Sequence, residues 1–422
     1  MATNEKSSGF VGHLSQDQEV KLQQLWMIIL KAGDTQESSI VSPANVTDSQ
    51  DPMAPGQLRM DFLNSIRHDN PDAFLLRFLR ARNWDVIKAF TMMVNAIEWR
   101  IKEMNVDQLM AEGELRALKL SQSTSNTSEQ KTGRDFLAQV KMGKSFVHGV
   151  DTVGRPICVV RVRLHRPGEQ SEETMERYIV HFIESVRLML VPPAETAVRV
   201  KLRFMHHSRE VLSTRTPGDR ASDSPDGLTG SCFRYDGVFA FEHGIWRLIK
   251  GWLDPAIASK IYFTNNAADL EKFIPREQIV QELGGDDDWA YNYFEPSLDE
   301  NDKMKDTATR DILLAERQRL GDDLFLATSA WIEATTAKDE AEITPCKDQR
   351  DAFIERLQSN YWQLDPYLRA RTILDRTEAF KDLHCHHSEE SPTKIRGAQT
   401  EEMAKIVEVE HLETMETYAV KT

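Results

Sequence analysis

Leu75-Leu-Arg-Phe-Leu-Arg-Ala-Arg82-Asn-Trp-Asp85 sits inside a helical unit that spans about Gln57 to Leu120. Asp85 is placed to cap a helix, because Val86, Phe90, Met93, Ile97 and Ile101 recur after it at steps of three and four and share one face. Toward the N-terminus, Asp34 to Gly56 is rich in Ser, Pro, Asn and Asp. It holds too little apolar surface to offset the entropy of ordering and reads as a linker. Before it, residues 14 to 33 predict a helix. Ser15 and Gln18 form an S-x-x-Q capping box, Val20, Leu22, Leu25, Trp26 and Ile29 supply the stripe, and Gly33 ends it.

Toward the C-terminus, a Ser/Thr/Asn-rich loop over Ser121 to Gly133 closes the helical unit, and the period then changes. Ser145 to Val147 and Ile157 to Val162 predict strands around a turn at Asp151 to Pro156, where Gly154 can supply positive φ. Ser171 starts a helix with Met175, Tyr178, Ile179, Phe182, Val186 and Leu190 on one face, ended by Pro192 and Pro193. Alternating strands and helices mark a mixed α/β domain. After Gly244 the pattern gives a short helix to Leu253, a strand at Lys260 to Phe263, and helical turns near Ala267 and Pro275. Asp306 to Thr335 and Gln349 to Phe380 predict charged helices with Leu324, Trp331, Phe353, Leu357 and Tyr361 as packing residues.

The chain has 422 residues, 40% of them apolar, enough for two or three compact units. Its formal charge of -15 argues against a broad nucleic-acid footprint, so contact with an anionic surface must be local. Cys158, Cys232, Cys346 and Cys385 lack paired spacing, which argues against a disulfide framework or zinc ribbon and for a reducing compartment. The first residues have no apolar signal core, and no apolar run approaches the roughly 20 residues needed to span a bilayer. The expectation is a cytoplasmic protein, soluble or peripheral to membranes.

The 75–85 string, followed by Ala96-Ile-Glu-Trp-Arg100, resembles the N-terminal helical module of the CRAL-TRIO family. Gly149-Val-Asp-Thr-Val-Gly-Arg-Pro156, Gly251-Trp-Leu-Asp-Pro255-Ala-Ile-Ala-Ser-Lys260-Ile and Leu283-Gly-Gly285 resemble its lipid-binding domain. The likeness covers about residues 60 to 196 and 243 to 295. It implies a mixed sheet floored by helices, enclosing one phospholipid beneath a mobile helix. The organisation expected is an N-terminal helix and linker (1–56), the helical module (57–120), the lipid domain (136–295) and a charged helical extension (300–422), which is similar to those of filamentous-fungal members.

Residues 197–242 depart from the family. Where it has buried strands around a long helix and a Tyr-Pro-Glu-like element, Thr214 to Gly230 has no apolar period and carries Pro217, Gly218, Pro225, Gly227 and Gly230. A sheet centre needs near-continuous apolar residues because both faces are buried. A shifted reading frame or retained intron would produce such a segment, as would an insertion that replaced the strands.

The resemblance implies non-enzymatic phospholipid binding and intermembrane transfer, with phosphatidylinositol as the ligand and no cofactor. A carrier needs a dry pocket, headgroup contacts and a gate. Ile245, Trp246, Ile249, Trp252 and Leu253 form one apolar side of a helix while Arg247 and Lys250 stay at the aqueous boundary. That arrangement suits an interfacial gate, and equally a helix packed permanently on the sheet. The resemblance favours the gate. It also places Lys260 and Arg82 near the headgroup phosphate, where periodicity alone gives surface cations. The family's partner glutamate falls in the divergent segment, and Ile257 replaces its threonine.

Other motifs carry less. Gly143-Lys144-Ser145 ends like a phosphate loop, but Ala138 occupies the first glycine position and the strand-to-helix setting is missing. His384-Cys-His-His387 has no second ligand pair for a metal, His206 and His207 lie in the divergent stretch, and Cys158 is read as a small buried side chain in a strand. No nucleic-acid partner is expected. The rival reading is an adaptor whose C-terminal helices bind a protein partner while the lipid domain is degenerate.

Overall fold

The computed structural model describes residues 9–34, 56–124, 127–161, 164–166, 168–191, 197–202 and 267–380. The first helix, α1 (Gln16–Asp34), begins at the expected capping box: Ser15 N donates to Gln18 Oε1 (2.9 Å) and Gln18 N to Ser15 Oγ (3.3 Å). α2 (Gln57–Ile66), α3 (Pro71–Ala81) and α4 (Val86–Glu98) follow, the last continuing as a π-turn over Trp99–Glu103. Asp85 caps α4 by accepting from Lys88 N at 3.1 Å. Trp26, Ile29, Phe62, Leu75, Phe78, Leu79 and Met93 are fully or almost fully buried together, so the quoted string lies at the centre of one core.

α5 (Val106–Ser121) is followed by α6 (Thr127–Lys141), which corrects the loop expected over Ser121 to Gly133. The first turns of α6 are polar, and its buried apolar residues Phe136, Leu137 and Val140 come only near its end. A composition reading therefore finds loop where packing against α5 and α7 makes helix.

β1 (Ser145–Val150) and β2 (Pro156–Arg161) pair antiparallel, with Phe146 opposite Val159 and Val147 opposite Cys158. Gly154 turns between them at φ +83°, where a side chain would be strained. α7 (Glu172–Arg187) starts at Ser171, whose Oγ accepts from Thr174 N at 3.2 Å. It ends at Arg187, ahead of the prolines. β3 (Val198–Leu202) lies parallel to β2, so the sheet is mixed in the order β1-β2-β3 and extends into the first residues of the divergent stretch. The departure from the family pattern is thus compatible with a strand at its start.

After α8 (Ala267–Leu270) the chain runs through short 3-10 turns into α9 (Thr307–Ala337), α10 (Glu340–Leu368) and α11 (Ile373–Arg376). Leu324, Trp331, Leu357 and Tyr361 are buried and Phe353 is half-buried, as expected. The chain is an α/β protein: a helical N-terminal module, a mixed sheet flanked by helices, and a helical C-terminal extension. No helix among the described residues is long and apolar enough to cross a membrane.

Candidate functional site

Alternation along the strands gives the sheet two faces. Val147 and Cys158 point to Val186 and Leu188 at the end of α7 and, beyond them, to Tyr361, Leu374 and Phe380 of the C-terminal extension. Cys158 is buried, as the sequence suggested. Phe146, Ile157, Val159 and Val200 form the opposite face, against Leu270, Ile274 and Ile279. Both faces are apolar, the condition for a water-excluded layer.

Arg82 ends α3 and is half-buried; its Nη1 donates to Ala81 O at 3.3 Å, and it forms no ion pair among the described residues. Lys260, the expected gate residues Ile245, Trp246, Ile249, Trp252 and Leu253, and Arg247 and Lys250 lie outside the described residues, as do His206, His207 and His384 to His387. Lys144 leads from a helix into a strand, the reverse of a phosphate loop. It is buried, donates to Gln139 Oε1 (2.8 Å) and bonds His165 Nδ1 (2.9 Å), and burial pushes its amine down to about 8.

Periodicity did not anticipate a buried ionic junction that joins the module to the sheet. Glu184 of α7, fully buried, accepts hydrogen bonds from Arg100 Nη1 and Nη2 at 2.5 and 3.0 Å and forms an ion pair with Arg67 Nη1 at 2.8 Å. Burial acts to raise its carboxyl, but Arg100 and Arg67 outweigh it and hold the group far below the usual carboxylate range. Beside it Asp69 pairs with Arg77 at 2.6 and 2.9 Å. Arg187 donates to Ser65 O and, chiefly through burial, falls to about 10.

The C-terminal extension closes the same junction. Arg350 of α10 is bidentate to Asp72 (2.6 and 2.5 Å) and packs against the Trp26 and Trp331 rings, while Trp26 Nε1 also donates to Asp72 at 2.7 Å. Arg317 of α9 donates to the carbonyls of Leu63 and Arg67 at the end of α2. Ala370 N donates to Met110 O at 2.9 Å. This approach requires Gly113, since a Cβ there would lie 2.6 Å from that of Ala370.

Beneath the sheet, Glu114, Tyr178, His181, Phe182 and Leu374 line a cavity of about 50 Å3, room for a few waters but far too small for a phospholipid. His181 Nε2 has no hydrogen-bond partner among the described residues, and burial, followed by Arg369 and Arg376, lowers the ring to about 4.

Residues 12–95 match the CRAL/TRIO, N-terminal domain, and residues 140–200 and 240–285 match the CRAL/TRIO domain. A CRAL-TRIO domain-containing protein of Schizosaccharomyces pombe is 34% identical over 336 residues, covering 76% of this chain and 68% of that protein. The chain belongs to the CRAL-TRIO family. The phosphatidylinositol transfer protein CSR1 of Eremothecium gossypii is also 34% identical, over 75% of this chain and 70% of its own length. The phosphatidylinositol/phosphatidylcholine transfer protein SFH12 of Arabidopsis thaliana is 26% identical over 54% and 42%. The CRAL/TRIO match breaks between residues 200 and 240, within the segment whose sequence departs from the family.

Proposed function

We propose that this CRAL-TRIO protein binds a phospholipid, with phosphatidylinositol as its ligand, and carries it between membranes without catalysing a reaction. The observation that carries the reading is the 34% identity to a phosphatidylinositol transfer protein over 75% of this chain. The match of residues 140–200 and 240–285 to the CRAL/TRIO domain supports it. Each buried methylene is worth about 0.8 kcal/mol against water, yet pocket and bilayer are both apolar, so exchange between them is near balance. Headgroup contacts then decide which lipid is retained.

In this reading Lys260 and Arg82 hold the phosphate, Ile245, Trp246, Ile249, Trp252 and Leu253 form the gate, and Arg247 and Lys250 meet the membrane surface. The protein works in the cytoplasm, peripheral to membranes. The C-terminal helices spend Leu324, Trp331, Leu357 and Tyr361 on the chain's own core, which weighs against the adaptor reading. Loading of purified protein from mixed vesicles tests the headgroup site. Lys260→Ala and Arg82→Ala should each lower phosphatidylinositol uptake while leaving thermal unfolding unchanged. Equal uptake by variants and wild type removes these residues from the site.

A further inference from the structure

We propose that the helical module carries its own docking surface for an anionic bilayer, where α1 meets the first turn of α4; this rests on the carrier reading above. An open groove separates the two elements, with Met27, Ile28 and Trp84 along its walls. Ile87 lines its edge and is 58% exposed, although the same helix buries Ala89, Phe90 and Met93 in the core. An apolar side chain that projects this far can enter an apolar phase.

The backbone is bent to present this edge. Asn83 and Trp84 are successive non-glycine residues at φ +50° and +64°, held by the bond from Trp84 N to Leu79 O at 2.7 Å. The result is a half-buried indole beside an exposed isoleucine, the pairing that suits the boundary between headgroups and acyl chains.

The charge around the groove opposes that of the whole chain. Against a formal -15, it is lined by Lys21 and Lys31, ten residues apart on α1 and so about 15 Å along the helix. Lys21 forms no ion pair among the described residues. Asp85, the lining carboxylate, caps α4 and pairs with Lys88 Nζ at 3.0 Å, so it does not neutralise Lys21. Arg82 directly precedes Asn83, so docking here would bring the proposed headgroup residue to the lipid surface. An acidic amphipathic peptide could answer the same lysines, but the projecting Ile87 favours a bilayer over a groove-filling helix.

Cosedimentation of the full chain with phosphatidylcholine vesicles, with and without phosphatidylserine, tests the proposal. Wild type should bind the anionic vesicles and release them at high salt. Lys21→Glu with Lys31→Glu should weaken binding at least about tenfold, and Ile87→Asn should weaken it with both charges kept. All three positions are solvent-accessible, and thermal melts of the variants should match wild type. Wild type that ignores anionic vesicles, including one that retains an acidic peptide instead, overturns the proposal, as do folded variants that bind like wild type. Phospholipid co-purified with the same samples is measured separately. A chain that docks through this groove but carries no lipid upholds the docking surface and removes the carrier reading.

Discussion

Arg67 Nη1 lies 2.8 Å from Glu184 Oε2, and both side chains are buried, one at the end of α2 and the other in α7. This contact ties the helical module to the layer that supports the sheet. Arg67 has φ +54° and ψ -118°, a strained conformation for a residue with a Cβ, so the ion pair and its neighbours also hold the turn into α3. Glu184→Ala would leave Arg67 and Arg100 buried without their shared carboxylate. It should cost about 3–5 kcal/mol in chemical denaturation. A loss below about 1 kcal/mol would mean that the junction does not hold the units together.

The C-terminal extension is expected to behave as part of the folded core. Arg350→Ala removes a bidentate partner from Asp72 and the cation between Trp26 and Trp331, and should destabilise the chain by several kcal/mol. Arg350→Lys keeps the charge but loses the planar fork, and should recover only part of that. Urea unfolding of the two variants separates geometry from charge. Equal stability of the lysine variant and wild type would contradict the bidentate account.

Two buried histidines should make the protein acid-sensitive above the range where carboxylates titrate. Burial lowers both His68 and His181 to about 4 from an ordinary 6.5. Unfolding raises each pKa, so the unfolded chain takes up protons first: the stability contribution is complete above pH 6.5 and is lost as pH falls toward 4. Between pH 7 and pH 5 each should remove about 2 kcal/mol. Denaturation midpoints of wild type and H68Q/H181Q at the two pH values check this. A double variant with the same pH slope as wild type would show that these rings do not control it.

Much of the helical framework was legible because its signals are local. Ser15 with Gln18, Asp85 and Ser171 each bond the backbone within three residues, so spacing alone placed three helix starts. α6 was missed because its apolar residues cluster near its end. The ionic junction was missed for another reason: Arg67, Arg100 and Glu184 are distant in sequence and look like surface charges until the module packs on α7. The headgroup role of Lys260 and the gate role of the amphipathic 245–253 segment rest on likeness to the family, since the chemistry of a lipid headgroup leaves no periodic trace. Arg82 was legible as the end of a helix but not, from spacing, as a headgroup contact.

The origin of residues 197–242 has its own test. Translating the underlying transcript in the other two frames should recover apolar strands around a long helix and a Tyr-Pro-Glu-like element. If neither frame contains them, the segment is an insertion, and the strand at Val198–Leu202 marks where it joins the sheet.

Lipid extraction probes the central claim most directly. The chain, with residues 197–242 in the frame that restores the family strands if one exists, is incubated with vesicles of labelled phosphatidylinositol and phosphatidylcholine, reisolated, and its organic extract weighed by mass spectrometry. The account predicts close to one phospholipid per protein, enriched in phosphatidylinositol. A folded chain that emerges with none would contradict it.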